Sequence, residues 1–197
     1  MSKNGKNILI CGVGGQGILL ASEIISNALI KAKYDVKQSE VHGMSQRGGS
    51  VVAHLRFSDK VYSPLIELGG ADIVVAFEML ESVRYLPYLH SKGAVIVNTQ
   101  RIYQPSVATG IEGYPEDLLD HFRKRKVSVF PVDAFAIASG LGEILAVNMV
   151  LVGALSKLLD LKADMFLSAI NERVSERFRD VNIEAFRKGR ESIIKSE

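Results

Sequence analysis

The stretch KNILICGVGGQGILLASEIISNALIKA, residues 6–32, changes its periodicity in the middle. Lys6 to Cys11 is a short apolar run of strand type that stops at Gly12. From Gln16 to Ala32 the apolar residues Ile18, Ala21, Ile25, Ala28, Leu29 and Ala32 recur at helical spacing. Between them Gly12-Val13-Gly14-Gly15-Gln16-Gly17 fits G-x-G-x-x-G. Strand, glycine turn and helix in that order predict the opening of an α/β domain. Glycines allow the tight turn and let backbone amides approach a phosphate at the positive end of the helix. Gly12, Gly14, Gly15, Gln16 and Gly17 are therefore candidate binding residues. A triphosphatase loop is excluded, because Ile18-Leu19 stand where Lys and Ser or Thr are required. Two alternatives stay open. One is a turn that simply packs a helix on a strand; the other is NAD binding, with Glu40 lying 23 residues after Gly17 as a ribose-binding acid.

Outward from this unit, Val36–His42 reads as a second strand. Val51–Phe57 alternates, with Val51, Ala53, Leu55 and Phe57 on one face and His54 and Arg56 on the other. A turn at Ser58-Asp59 leading to Val61-Tyr62 suggests a β-hairpin. Residues 72–77 and 94–97 are continuous apolar strands separated by a helix near 80–89. A polar helix follows at 116–125, a strand at 127–132, and helices at about 142–159, 163–178 and 183–195. Strands that are apolar on both faces and alternate with helices imply a mostly parallel sheet covered on both sides. The expectation is one Rossmann-like, doubly wound α/β domain over residues 1–197, with a β-hairpin and extra C-terminal helices.

Composition removes several classes of function. With 24 basic and 22 acidic residues the net charge is +2, so no global field points to nucleic acid or an anionic membrane. The longest apolar run, Ile144 to Leu155, is interrupted by Asn148 and is too short for a bilayer. The N-terminus lacks the pattern of a signal peptide, and the lone Cys11 suits a reducing cytoplasm. One thiol cannot hold an iron–sulfur cluster, and the four histidines show no zinc spacing.

The second informative segment is EVHGMSQRGGSVVAHLRF, residues 40–57. Three glycines (Gly43, Gly48, Gly49) and the hydrogen-bonding side chains of His42, Ser45, Gln46, Arg47 and Ser50 fall within nine residues. The guanidinium of Arg47 offers a planar fork for a carboxylate or phosphate. Gly48 and Gly49 beside it permit close approach of a ligand or another chain. His42 is a candidate general acid–base, against the alternative of a structural hydrogen-bonding histidine. In an open parallel sheet these residues join Glu40, Glu78, Asn98, Thr99 and Asp133 on the carboxyl rim.

Together, GVGGQGILLASEII and EVHGMSQRGGSVVAHLRF resemble the gamma-type domain of the 2-oxoacid:ferredoxin oxidoreductases, and the His-Gly-Met-Ser-Gln form resembles the indolepyruvate branch. ADIVVAFEMLESVRYLPYL, NMVLVGAL and NIEAFRKG extend the likeness over nearly the whole chain. The resemblance implies oxidative decarboxylation of an aryl pyruvate to aryl-acetyl-CoA, carbon dioxide and reduced ferredoxin. It implies thiamine diphosphate and 4Fe–4S iron–sulfur clusters on a large alpha subunit, with this chain closing the active site and contacting coenzyme A. His42, Gln46 and Arg47 would then face the shared site, and the glycines 12–17, with Glu40, Gly48 and Gly49, the cofactor side.

Overall fold

The computed structural model describes residues 5–42, 49–102, 115, 118–159 and 161–193. Six strands, β1 (Lys6–Val13), β2 (Asp35–His42), β3 (Ser50–Ser58), β4 (Ala71–Ala76), β5 (Leu89–Asn98) and β6 (Ser128–Val132), form one sheet in the order β2-β3-β1-β4-β5-β6. β1, β4, β5 and β6 pair in parallel, whereas β3 pairs antiparallel to both β1 and β2. The helices among the described residues are α1 (Ile18–Lys31), α2 (Met79–Arg84), α3 (Leu118–Lys124), α4 (Ala134–Gly140), α5 (Val147–Leu158), α6 (Ala163–Arg173) and α7 (Glu176–Glu191).

The continuous apolar character of the inner strands has a direct cause. Ile8, Ile10, Ile73, Val75 and Ile96 point into a large core shared with α1, α5, α6 and α7. Their neighbours Leu9, Cys11, Val74, Val95 and Val97 point the other way, into a smaller core under α2 and α3. A strand buried on both faces has no polar side to show in its sequence.

The hairpin differs from the expected one. β2 and β3 form it, with His42 opposite Val51. The Ser58-Asp59 turn opens no second strand: the Val61 amide donates to Asp35 Oδ2 at 2.9 Å, and Tyr62 is exposed. The face of β3 that carries His54 and Arg56 is covered rather than solvated, because Val52 and His54 are also buried. The predicted helix at 163–178 ends at Arg173 and the next begins at Glu176; Val174 is extended (ψ 132°), which separates them. Helix α4 was not foreseen, and Asp133 caps it by accepting from the Ala136 amide at 3.0 Å.

The tightest packing lies where α5 crosses α7. A β-carbon on Gly153 would stand 2.0 Å from the Phe186 carbonyl oxygen, and one on Gly189 would stand 1.9 Å from that of Val150. Phe186 in turn stacks on Phe166 with ring centroids 5.6 Å apart.

His54 gives this fold a pH dependence. Its Nδ1 accepts from the Ile66 amide at 3.2 Å, and burial lowers its pKa. The unfolded chain binds a proton near pH 6.5 that the folded chain refuses, so this contribution is complete above about 6.5 and is lost as pH falls. Urea unfolding from pH 8 to 5 should show stability declining toward acid. His54→Asn, which keeps an acceptor and cannot titrate, should flatten that slope; an unchanged slope would remove His54 as its cause.

Candidate functional site

From β1 the chain leaves into α1 on one face of the sheet; from the adjacent β4 it leaves into α2 on the other face. The carboxyl ends of these two strands thus part at the sheet's switch point, where open α/β sheets bind ligands. The glycine turn stands there.

Its conformation is built from one side chain. Gln16 folds back so that Oε1 accepts from the Val13 amide at 2.7 Å and Nε2 donates to the Phe77 carbonyl at 2.8 Å. The turn is thereby clamped to the end of β4. Gly12 lies beneath this clamp; a β-carbon there would come within 2.6 Å of Gln16 Oε1. Gly15 and Gly17 have φ of 99° and 75°, in the left-handed region that favours glycine. They differ in surroundings: a β-carbon on Gly15 meets nothing within 4 Å, whereas one on Gly17 would stand 2.5 Å from Asn148 Nδ2.

Amide bookkeeping then sorts the turn. Val13 N–H goes to Gln16, Gly14 N–H to the Gly49 carbonyl at 2.9 Å, and Gln16 N–H to the Val13 carbonyl at 3.3 Å. The amides of Gly15 and Gly17 have no hydrogen-bond partner among the described residues. Gly17 caps α1 without a side-chain bond, and no acidic residue occupies the first turn. Such a helix start favours a negatively charged group. These amides border a cleft of about 360 Å³ whose other walls include Leu20, Ile102, Phe135, Ile144 and Leu145. A polar end and an apolar flank suit a ligand with a phosphate and a larger organic part.

The Gly14–Gly49 bond ties the turn to the residue that precedes β3. Next to it, Ser50 Oγ donates to Glu81 Oε2 at 2.5 Å and lies 3.0 Å from the Tyr85 hydroxyl. Glu81 is fully buried, and Arg84 Nε donates to its other oxygen at 2.9 Å. Glu78, also fully buried, accepts from the Leu80, Glu81 and Ile102 amides. Asn98 spans Phe77 and Ala134 below the rim. This buried polar layer, whose central member Glu81 gave no sequence signal beyond an acid in a short helix, braces the strand ends.

The other predicted residues divide. Glu40 Oε1 accepts from Ser22 Oγ at 2.8 Å and Gln38 Nε2 at 3.0 Å, so its carboxylate faces α1 between β2 and the helix. A ribose-binding acid would need that carboxylate at the crevice, which removes the main support for a dinucleotide. His42 closes β2 opposite Val51, and Val51 pairs with Gly12 on its other side, so the backbones of His42 and the glycine turn lie at the same end of the sheet. Gln46, Arg47 and Gly48 lie outside the described residues. Among the described residues no group of three or more His, Cys, Asp or Glu could hold a metal ion, and no helix is long and apolar enough to cross a membrane.

Comparison with known proteins gives this geometry its relatives. The family model for pyruvate ferredoxin/flavodoxin oxidoreductase matches residues 7–192. Indolepyruvate oxidoreductase subunit IorB of Archaeoglobus fulgidus is 41% identical over 187 residues, covering 93% of this chain and 92% of that protein. The subunit of the same name from Thermococcus kodakarensis is 40% identical over 190 residues, covering 93% of each. Among solved structures, 2-oxoglutarate:ferredoxin oxidoreductase from Magnetococcus marinus, with 2-oxoglutarate, coenzyme A and succinyl-CoA bound, superposes with a TM-score of 0.76 at 22% identity, over 96% of this chain and 31% of that longer one. With the family model spanning nearly all of the sheet and its helices, the chain belongs to the pyruvate ferredoxin/flavodoxin oxidoreductase family.

Proposed function

We propose that the chain acts as a single gamma-type domain, the completing subunit of an indolepyruvate:ferredoxin oxidoreductase. The reaction converts an aryl pyruvate and CoA to aryl-acetyl-CoA and carbon dioxide, with two electrons passed to ferredoxin and one proton released. The likeness to two indolepyruvate oxidoreductase subunits over almost their whole length supports the substrate. The observation in this chain that carries the reading is the glycine turn, with open amides at an uncapped helix start beside an apolar cleft.

In this reading the chain takes the CoA side. The Gly15 and Gly17 amides and the start of α1 receive a phosphate of CoA, and the apolar flank shields its organic part. Gln16 holds the turn, and Gly12, Gly14 and Gly49 allow its close packing. Glu40 contributes by seating α1 on β2. His42, Gln46 and Arg47, with Gly48, stand toward the partner. Thiamine diphosphate and the iron–sulfur clusters, held by a large alpha subunit, supply carbonyl and electron-transfer chemistry. One cysteine in 197 residues leaves no cluster ligands here. The complex works in the cytoplasm.

The deciding experiment reconstitutes the chain with its large subunit and follows viologen reduction by indolepyruvate and CoA. The isolated chain should show no activity, and the complex should show it. Arg47→Ala, if it assembles normally, should lose about 10- to 150-fold in kcat/KM, the equivalent of a charge-assisted pair of about 1.5–3 kcal/mol. Arg47→Lys should recover only part, because an ammonium lacks the bidentate fork. Activity of the chain alone, or wild-type turnover by assembled Arg47→Ala, would contradict this assignment.

A further inference from the structure

Helix α5 begins deep in the protein: all residues from Val147 to Ser156 are buried. Its second residue is an amide, Asn148, only 4% exposed among apolar neighbours. A buried amide in such a place is retained only when its polar atoms are satisfied. Oδ1 accepts from the Met149 amide at 2.8 Å. Nδ2 reaches across 131 positions of sequence to the Gly17 carbonyl at 3.4 Å.

That contact bears on the turn. The Gly17 carbonyl also receives the Ala21 amide, the first bond of α1, at 3.1 Å. In a trans peptide the carbonyl and the following N–H point in opposite directions. Two donors holding the Gly17 carbonyl inward therefore aim the Ile18 N–H outward, at the mouth of the turn. Asn148 also occupies the space a side chain at position 17 would need. It lines both the 360 Å³ cleft and an adjoining one of about 220 Å³ that reaches Arg173, Ser175 and Phe178.

We propose that Asn148 is a positioning residue for CoA: it orients the peptide between Gly17 and Ile18 so that the turn's amides converge on one phosphate, and it must be uncharged to do so. The proposal rests on the assignment of CoA to the glycine turn. It adds a determinant from a helix remote in sequence, and it gives a reason for an amide where packing alone would select leucine or valine.

The test uses the assembled complex and separates CoA from the oxoacid. Asn148→Asp keeps the shape, and its position near the start of α5 favours an acid. It removes the donor to Gly17 and sets a negative charge beside the phosphate. The KM for CoA should rise about tenfold or more, since a like charge brought near the phosphate costs at least the roughly 1.36 kcal/mol that a factor of ten represents. Asn148→Ala should raise it about fivefold, the equivalent of one neutral hydrogen bond. The KM for indolepyruvate should stay near wild type, which a loosened or misassembled domain would not allow. Gly15→Ala, whose methyl would enter the open cleft and meet no protein atom but whose φ of 99° strains the turn, serves as the control once urea unfolding shows its stability near wild type. If Gly15→Ala raises the KM for CoA and neither Asn148 variant does, CoA binds the turn and the role of Asn148 is wrong. If none of the three changes it, both assignments fall. Parallel loss of all kinetic constants would overturn the positioning role in favour of a purely structural one. Should Asn148→Asp fail to assemble, Asn148→Ala decides.

Discussion

Alanine at Gly153 or Gly189 should lower the unfolding free energy by about 3 kcal/mol, although helix propensity alone would raise it by about 1 kcal/mol. The sign is decided by the crossing of α5 and α7. Each glycine faces a backbone carbonyl of the other helix at about 2 Å from where its β-carbon would sit. A backbone atom cannot swing aside as a side-chain tip can, so the helices must part. Separation would also loosen Phe186 from Phe166 and open space in the main core. Urea denaturation of each single variant measures the loss. Stability equal to or above wild type would mean that the helices do not approach this closely.

A valine at Gly17 should be nearly as damaging and should also abolish tight CoA binding. A β-branched residue at φ 75° is strongly disfavoured, at about 1–2 kcal/mol for the left-handed backbone. Displacing Asn148 from 2.5 Å then deprives a buried amide of its partner, at about 1–3 kcal/mol more. Alanine separates the two costs. Gly17→Ala combined with Asn148→Gly should recover the collision cost and keep the dihedral cost, giving a coupling between the sites of about 1 kcal/mol or more. Additive losses in thermal or urea unfolding would show that the two residues do not touch.

Much of the architecture was legible because it rests on local periodicity. The switch from strand to helix across Gly12–Gly17 and the doubly apolar runs in β4 and β5 specify a covered parallel sheet. What could not be read is which strands pair. Alternation at 51–57 marks a strand, but the insertion of β3 between β1 and β2 depends on contacts far apart in sequence. The Ser58-Asp59 turn was a true turn with no strand after it. Glu40 matched a ribose-binding spacing, yet spacing carries no direction. Ser22 and Ser26, one turn apart on α1, face Gln38 and Glu40, two apart on β2, a polar seam that exists only once helix and strand pack together. Asn148 was noticed only as a break in an apolar run; its partner lies in the glycine turn, beyond any local pattern. Glu78 was placed on the rim by its strand end and Glu81 carried no signal; both are buried, because backbone amides, Arg84 and Ser50 satisfy them.

Cys11 sits in β1 with β3 on one side and β4 on the other, and its thiol is fully buried. Burial, reinforced by the nearby carboxylates of Glu81 and Glu78, holds its pKa well above the ordinary thiol value. Thiol reagents attack the thiolate, so the folded chain is silent toward them. Reaction has to wait until α2 lifts from the face of the sheet that Cys11 lines. The rate of labelling then counts openings of that helix, on a clock that needs no engineered probe. Read in the free chain and again in the assembled complex, that clock measures how firmly a docked partner keeps this face shut.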